Sequence, residues 1–301
     1  MFCIGLCLVV ATAAAAPAEP KPPEDCDALY YGDAGPKDYP KALACYRAQE
    51  DWPMVAIMQL NGEGTPVDVP GARASFRRLV GSDGFMDADA QALDKILGQR
   101  EKHPGGKGRH IDFCADVAGI TPSLGYCSRR EEDRAEGRDQ KVLDTVRTRL
   151  PDDARPIFDA AVEAFHSFVA AEAERTYEKY IDGTIRAQAS IYAESFARAD
   201  FMRAVQRLAA ASTSGPTPGH RPFAAADRAL NEAYRADVGG ASAAYKTKSR
   251  TTQHRWVRYR DAMAKLAAAR WPARPDAEDL ARALVTEDRI RELTPPEGDV
   301  R

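Results

Sequence analysis

Two stretches near the carboxyl end of this chain decide its fold class. They read Asp227-Arg228-Ala229-Leu230-Asn231-Glu232-Ala233-Tyr234 and Gln253-His254-Arg255-Trp256-Val257-Arg258-Tyr259-Arg260-Asp261. In the first stretch, Asp227, Leu230 and Tyr234 recur at the spacing of one helix face. In the second, core-type side chains recur at steps of four, three, four and three residues, at Thr252, Trp256, Tyr259, Met263 and Leu266. This period is typical of a seam between packed antiparallel helices, so we predict two helices packed against each other, with Trp256 in the core between them.

The polar residues of the two stretches suggest an internal contact. Asp227 and Asn231 lie one helical turn apart and can therefore face one partner. We predict that Arg260 of the second helix pairs with Asp227 and holds the register of the two helices. Gln253 and Asp261 complete this set, which we interpret as a buried polar staple rather than as a binding site.

The remainder of the chain also follows the helical period. We predict long helices at about residues 132–149, 152–179 and 183–212, preceded by a turn-rich segment at 110–132. Their predicted core positions are Val142, Val146, Leu150, Phe158, Val162, Phe165, Val169, Ile191, Phe196, Phe201, Val205 and Leu208. No window alternates as a strand does. The predicted fold is all-α, with a short helical-repeat N-terminal module followed by a helical-bundle C-terminal domain.

The N-terminal module carries the loop Asn61-Gly62-Glu63-Gly64-Thr65-Pro66-Val67-Asp68 between two helical patterns. This loop resembles the linker of Sel-type repeats, which are relatives of the tetratricopeptide array. Helix contacts and turns of that family would fall on Ala42, Tyr46, Ala56, Leu60, Gly62, Gly64, Asp68, Ala72 and Phe76. The resemblance covers about one and a half repeats over residues 24–100 and implies binding to a protein partner.

Export and disulfides are predicted from the first part of the chain. Residues 1–16 carry no charge and are almost all apolar, which is typical of a signal peptide and shorter than the roughly 20 residues that span a bilayer. Cleavage would leave four cysteines, an even number that suggests disulfides in an exported chain. They allow three pairings, of which sequence proximity favours Cys26 with Cys45 and Cys114 with Cys127. No C-x-x-C spacing is present, so no metal site is predicted.

The two helical stretches, together with Phe113, Cys114, Cys127 and the tail Leu284–Leu293, resemble the lysozyme inhibitor LprI-like family of secreted bacterial helical domains. The resemblance covers about residues 110–295. Many members carry a cysteine two positions after the Arg-Asp pair, where this chain has Met263, which we predict to be an apolar plug. The Gly- and Pro-rich residues 101–109 are then a linker between the two modules.

The sequence contains no motif that indicates catalysis. Carboxylate pairs such as Asp152 and Asp153 are typical of helix caps, and no Ser-His-Asp or Cys-His arrangement has supporting context. We therefore predict a protein that is not an enzyme, with no cofactor, no nucleic-acid partner and no membrane span. The resemblance implies a periplasmic or secreted protein that binds a protein partner and inhibits a lysozyme-type muramidase. The alternative is a structural module of a periplasmic complex without inhibitory activity.

Charge bears on how such an inhibitor would meet its target. Residues 222–301 carry 15 basic and 12 acidic residues, a net charge of +3, which would repel a basic lysozyme. Residues 17–105 carry 10 basic and 15 acidic residues, a net charge of −5, and could steer it instead. Arg255, Arg258 and Lys265 are the candidate basic face for an acidic cleft.

Overall fold

The computed structural model describes residues 25–33, 35–78, 87–102, 109–119, 121–210 and 221–294. All regular structure within these ranges is α-helix, which confirms the predicted all-α class. None of the helices in these ranges has an apolar stretch that would reach across a membrane. The predicted signal peptide at residues 1–16 and most of the predicted linker at 101–109 lie outside the described residues.

Short helices form the N-terminal module, and three of them begin in the same way. Asp38, Asp51 and Asp68 each precede a helix, and each carboxylate accepts a hydrogen bond from the backbone N–H three residues on. A proline follows each aspartate by two residues, where its missing N–H costs nothing. The helices are α1 (Cys26–Tyr31), α2 (Tyr39–Ala48), α3 (Trp52–Asn61), α4 (Val69–Arg77) and α5 (Asp87–Lys102).

The loop after α3 needs glycine for two reasons. Gly62 and Gly64 both adopt left-handed backbone angles, with φ of +72° and +74°. At Gly64 a Cβ would also lie 2.4 Å from the carbonyl oxygen of Tyr39, so the loop can approach the start of α2 only without a side chain. The apolar positions predicted for the repeat are buried, at Ala42, Tyr46, Ala56, Leu60, Ala72 and Phe76. The Sel-type assignment itself stays a prediction.

A second cluster of apolar residues joins these helices to the segment that follows them. Ile111, Phe113 and Val117 pack with residues of α3, α4 and α5. Phe113 begins the short helix α6 (Phe113–Asp116), which precedes the long α7 (Thr121–Arg149). The division into modules at residues 101–109 therefore stays a prediction, since residues on both sides of it share one core.

The prediction of a turn-rich segment at residues 110–132 is wrong from Thr121 onward. There α7 begins, eleven residues before the predicted helix start at 132, and Cys127 lies within it. The residues after Tyr126 are mostly Arg, Glu, Asp and Lys, and because Arg, Glu and Lys are good helix formers this stretch is helical. Both predicted disulfides are confirmed, with Cα–Cα distances of 5.5 Å for Cys26–Cys45 and 5.7 Å for Cys114–Cys127.

The C-terminal bundle consists of α8 (Arg155–Lys179), α9 (Arg186–Ala210), α10 (Phe223–Val238), α11 (Ala243–Arg270) and α12 (Ala277–Leu293). The helix α8 lies between α9 and α11, and α12 packs against both α10 and α11. Aromatic rings fill the centre of the bundle. The rings of Phe165 and Phe201 stack at 4.0 Å, and Tyr259 meets the ring of Phe165 at 5.5 Å. The predicted core positions Phe158, Ile191, Val205 and Leu208 are also buried.

Two of the predicted core positions are exposed instead. Val142 faces solvent, and its neighbour Leu143 is buried in its place. Phe196 is 42% exposed although it follows the apolar period of α9. The side of α9 that carries Phe196 borders a cavity between α8, α9 and α12, and the core stops at this edge.

Candidate functional site

We call α10 and α11 the signature helices, because they contain the two stretches at residues 227–234 and 253–261. They are not each other's main packing partner, so the prediction of a direct α10–α11 seam is wrong. The helix α10 packs mainly against α12, and α11 packs mainly against α8. Trp256 is buried, as are Leu230 and Tyr259, but its cluster includes residues of α8 and α9. The apolar seam of α11 matches the long aromatic face of α8, while the small Ala226 and Ala233 of α10 allow α12 to approach closely.

A salt bridge nevertheless joins the two signature helices. Arg260 Nη1 lies 3.5 Å from Asp227 Oδ1, and Arg260 Nη2 lies 2.9 Å from Asp261 Oδ1. Its guanidinium also lies over the ring of Trp256, at 5.3 Å from the centroid. Asn231 donates a hydrogen bond of 2.8 Å to the carbonyl oxygen of Asp227. Because the side chain of Asp227 is 43% exposed, this contact is a surface clasp rather than the predicted buried staple.

The other predicted signature residues lie beside this clasp or apart from it. Tyr234 is half-buried and packs against the edge of the main core. Gln253 is half-buried on α11, and its side-chain oxygen accepts no hydrogen bond within the described part of the chain. Tyr234 therefore belongs to the packing of the scaffold.

The clasp continues onto α12 through Arg282. Arg282 Nε lies 3.5 Å from Asp261 Oδ1, and its other two nitrogens contact Glu278 at 2.7 Å and Asp279 at 3.2 Å. We call the resulting row the surface charge chain; it consists of Asp227, Arg260, Asp261, Arg282, Glu278 and Asp279. Its four carboxylates are far more exposed than its two guanidiniums, so the row presents negative charge to solvent.

A second group of charges lies inside the bundle, and sequence reasoning missed it. Glu172 Oε2 accepts hydrogen bonds from Arg175 Nε at 2.9 Å and lies 2.9 Å from Arg289 Nη2. Arg289 Nη1 reaches Glu292 at 2.6 Å, and Arg175 Nη1 reaches Asp237 at 3.0 Å. We call this the buried charge cluster; it consists of Glu172, Arg175, Asp237, Tyr245, Arg289 and Glu292. The hydroxyl of Tyr245 donates a hydrogen bond of 2.8 Å to Asp237 and so belongs to the cluster.

The sequence did carry a signal for this cluster. Phe165, Phe168, Glu172 and Arg175 follow one another at steps of three, four and three residues, so all four lie on the same face of α8. A glutamate and an arginine that continue an aromatic stripe are expected to be buried as a pair. Charged residues on helices more often face solvent, so this pattern alone does not establish that the pair is buried.

Burial and pairing act in opposite directions on the two glutamates. Burial alone would raise the pKa of Glu172, but the charges of Arg175 and Arg289 outweigh it and lower this pKa to about 2. Burial raises the pKa of Glu292, and the charge of Arg289 offsets this only in part. Each carboxylate of the cluster is thus held by a guanidinium, which makes the cluster a support rather than a reactive site. Nowhere in the described ranges do three or more His, Cys, Asp or Glu side chains gather as metal ligands would.

Beside the buried charge cluster lies a cavity of about 290 Å³ between α8, α9 and α12. We call it the α8–α9–α12 cavity. Its lining residues are Glu172, Arg175, Thr176, Lys179, Ala193, Phe196, Asp200, Arg203, Arg291 and Glu292.

A third group of charges holds the N-terminal module against α7. Arg130 of α7 contacts Asp27 of α1 and reaches Asp51, at the start of α3, at 2.9 Å. The hydroxyl of Tyr126 also donates to Asp51 at 2.9 Å, and Arg130 Nη2 lies 2.6 Å from the hydroxyl of Tyr46. We call these five residues the Arg130 hub. The pKa of Asp27 is raised by its burial, which the charge of Arg130 offsets only in part.

Only two of the three residues that were predicted to form a basic face on α11 are exposed. Arg255 Nη1 donates to the carbonyl oxygen of Ser167 at 3.2 Å and so ties α11 to α8. Arg258 and Lys265 are exposed. The exposed basic charge of this face therefore comes from two residues, not three.

The fold and these charge groups define an all-α domain in which paired side chains tie neighbouring helices together. Residues 220–293, which contain α10, α11 and α12, match the model of the family described as Lysozyme inhibitor LprI. The match is shorter than residues 110–295, over which the sequence predicted the resemblance. Comparison with curated proteins gives no match, and comparison with solved structures gives none either.

Proposed function

We propose that this chain is an exported, non-catalytic protein that binds a lysozyme-type muramidase and inhibits it. The observation that carries the proposal is the match of residues 220–293 to a family described as lysozyme inhibitors. The two disulfides support export, because disulfides persist in oxidising compartments such as the periplasm.

Burial excludes three of the nine predicted signature residues from any surface that could contact a partner. Leu230, Trp256 and Tyr259 are buried and can reach a partner only if the bundle opens. Their role is to hold the helices on which exposed residues are displayed. A binding surface must therefore be sought among the charges on the outside of α10, α11 and α12.

The surface charge chain is the best candidate for this contact. Its exposed carboxylates include Glu278 and Asp279 at the start of α12, next to Asp261 of α11. A negative patch attracts a positively charged protein and raises the rate of encounter. The matched part of the chain therefore carries a local acidic face despite the net charge of +3 of residues 222–301, and it does not need the N-terminal module to steer a basic lysozyme.

The experiment is a lysis assay with the mature protein, a basic lysozyme and suspended peptidoglycan. We expect micromolar protein to lower the rate of lysis, and the effect to weaken as salt screens the acidic face. The double variant Glu278→Gln/Asp279→Asn should inhibit less well. Its matched control, Arg258→Gln/Lys265→Gln, removes two exposed charges of the other sign.

Two outcomes would contradict these statements separately. Unchanged lytic rates at micromolar protein reject inhibition and favour a structural module of a periplasmic complex. Inhibition that is lost in the Arg258→Gln/Lys265→Gln variant, and kept in the acidic-face variant, would move the contact to the basic side of α11.

A further inference from the structure

We propose that the α8–α9–α12 cavity binds a small organic anion that carries a ring next to its acid group. Eight of its ten lining residues, from Glu172 to Arg203, lie outside the matched range 220–293, and Arg291 and Glu292 lie at its end. The site goes beyond muramidase binding and does not depend on it.

The charge that a ligand meets at the mouth of this cavity is positive. Lys179, Arg203 and Arg291 have side chains that are 36–54% exposed. The lining carboxylates of Glu172, Asp200 and Glu292 are only 4–13% exposed, and each is already paired with arginine. An entering carboxylate can therefore form charge-assisted hydrogen bonds with the exposed cations at the mouth, whereas an entering cation meets carboxylates that are nearly buried.

Each mouth cation already has a carboxylate partner in the protein. Arg291 contacts Asp288, Arg203 contacts Asp200, and Lys179 lies 3.5 Å from Asp237. Asp237 is held more closely by Arg175 at 3.0 Å, so Lys179 has the most distant partner of the three. The exposed parts of the three cations can still reach a ligand, which would share them with these carboxylates.

One wall of the cavity is apolar and offers a surface for a ring. Phe196 lines the cavity with 42% of its surface exposed, and Ala193 lies one turn before it on α9. Covering an exposed aromatic face with a ligand ring removes apolar surface from water and allows stacking. The placement of an exposed phenylalanine beside cations favours a ligand that combines an acid with a ring.

The floor of the cavity is preformed. Glu172, Arg175 and Glu292 belong both to the lining and to the buried charge cluster, whose contacts fix their positions. Burying ions carries a desolvation cost and is not an efficient way to stabilise a helical bundle. A rigid polar floor does suit a ligand site, because little must reorder on binding. At roughly 30 Å³ for each water-sized unit, the cavity of about 290 Å³ holds about ten non-hydrogen atoms.

The experiment uses the full mature protein and three fluorinated probes of similar size, observed by ¹⁹F NMR. They are 4-fluorobenzoate, the neutral 4-fluorobenzyl alcohol and the cationic 4-fluorobenzylamine. We expect saturable binding of the benzoate, about tenfold tighter than that of the other two. Equal binding of all three probes, stronger binding of the amine or no saturable binding of the benzoate overturns the proposal.

Variants locate the site. Arg203→Gln and Arg291→Gln should each weaken binding of 4-fluorobenzoate by about threefold, the scale of a partly exposed ion pair. Arg258→Gln removes the same charge from an exposed position on α11 and should leave binding unchanged. Phe196→Ala should weaken binding further, whereas Tyr177→Ala, which also removes an exposed ring from outside the cavity, should not. If the site variants and their controls weaken binding equally, the assignment of the cavity is overturned. Circular dichroism verifies that each variant is folded.

Discussion

Glu172 of α8 and Arg289 of α12 contact each other at 2.9 Å, with side chains that are 4% and 1% exposed. Arg289 lies within the LprI match and Glu172 lies outside it. The pair therefore joins the three matched helices to the helix that supports them. Because both side chains are buried away from water, the stability of each charge depends on its ion-pair partners. These partners include Arg175 for Glu172 and Glu292 for Arg289.

Replacing Glu172 tests this dependence. Glu172→Gln leaves Arg175 and Arg289 buried without their shared carboxylate, so we expect the free energy of unfolding to fall by about 3–5 kcal/mol. The matched control is Glu174→Gln, two residues away, which breaks the exposed pair with Lys248 and should cost about 1 kcal/mol or less. Urea unfolding measures both, and equal losses would show that the buried contact contributes no more than the exposed one.

Acid should remove the contribution of Glu172 over a defined pH range. Its pKa is about 2 in the folded protein against an ordinary 4.5, so the carboxylate stabilises the fold above about pH 4.5. This contribution, about 3 kcal/mol for such a shift, is lost as the pH falls through 2. The raised pKa of Glu292 acts in the opposite direction, and part of that rise comes from the charge of Glu172, so the difference between the wild type and Glu172→Gln reports both carboxylates together.

The measurement is the difference in unfolding free energy between these two proteins from about pH 7 down to about pH 2. We expect this difference to shrink below about pH 4.5. A difference that stays constant over the whole range would contradict the lowered pKa of Glu172.

The Arg130 hub predicts how the N-terminal helices are attached. Arg130→Gln leaves Asp27 and Asp51 without their buried guanidinium, so we expect a loss of about 3 kcal/mol, confined to the contact between α7 and the helices before it. Hydrogen exchange should rise in residues 25–61 and stay unchanged in residues 223–293. The matched control is Arg129→Gln, which breaks the ion pair with Glu194, a pair that is more exposed than the contacts of Arg130. Uniform exchange increases over the whole chain would contradict a local role.

The surface clasp should contribute little to stability. Asp227 and Arg260 are 3.5 Å apart, and the carboxylate is exposed, so we expect a coupling energy of about 0.2–1 kcal/mol. A double-mutant cycle with Asp227→Asn and Arg260→Gln measures it by urea unfolding. A coupling of several kcal/mol would restore the buried staple that the sequence suggested.

The sequence predicts this fold well where periodicity and local chemistry decide it. The step pattern through Trp256 and Tyr259 required a buried helix face, and both side chains are buried. Cys114 and Cys127 are close in sequence, and they pair. These features depend on neighbours within one or two helical turns or within a short loop.

The sequence fails where the choice of partner helix decides the structure. The apolar face of α11 is compatible with several partners, and periodicity alone could not choose α8 over α10. Phe196 follows the core period of α9, yet it lies where α8 and α12 leave a cavity. The partners of Glu172 come from residues 3 and 117 positions away, Arg175 and Arg289, and only tertiary packing brings them together.

One continuous helix, α7, contacts both the N-terminal helices and the C-terminal bundle. Its first part carries Arg130 and its last part places Leu143 in the C-terminal core, and at 29 residues it is roughly 44 Å long. Any reorientation of the two ends of the molecule must therefore bend or unwind this helix. Gly137 is exposed in the stretch between them, and a Cβ at this position would meet nothing within 4 Å. Glycine lowers the cost of unwinding by about 1 kcal/mol relative to alanine, but a hinge at Gly137 would also break the pairs of Glu132 and Glu136 with Arg198, so α9 splints the helix at its weakest position.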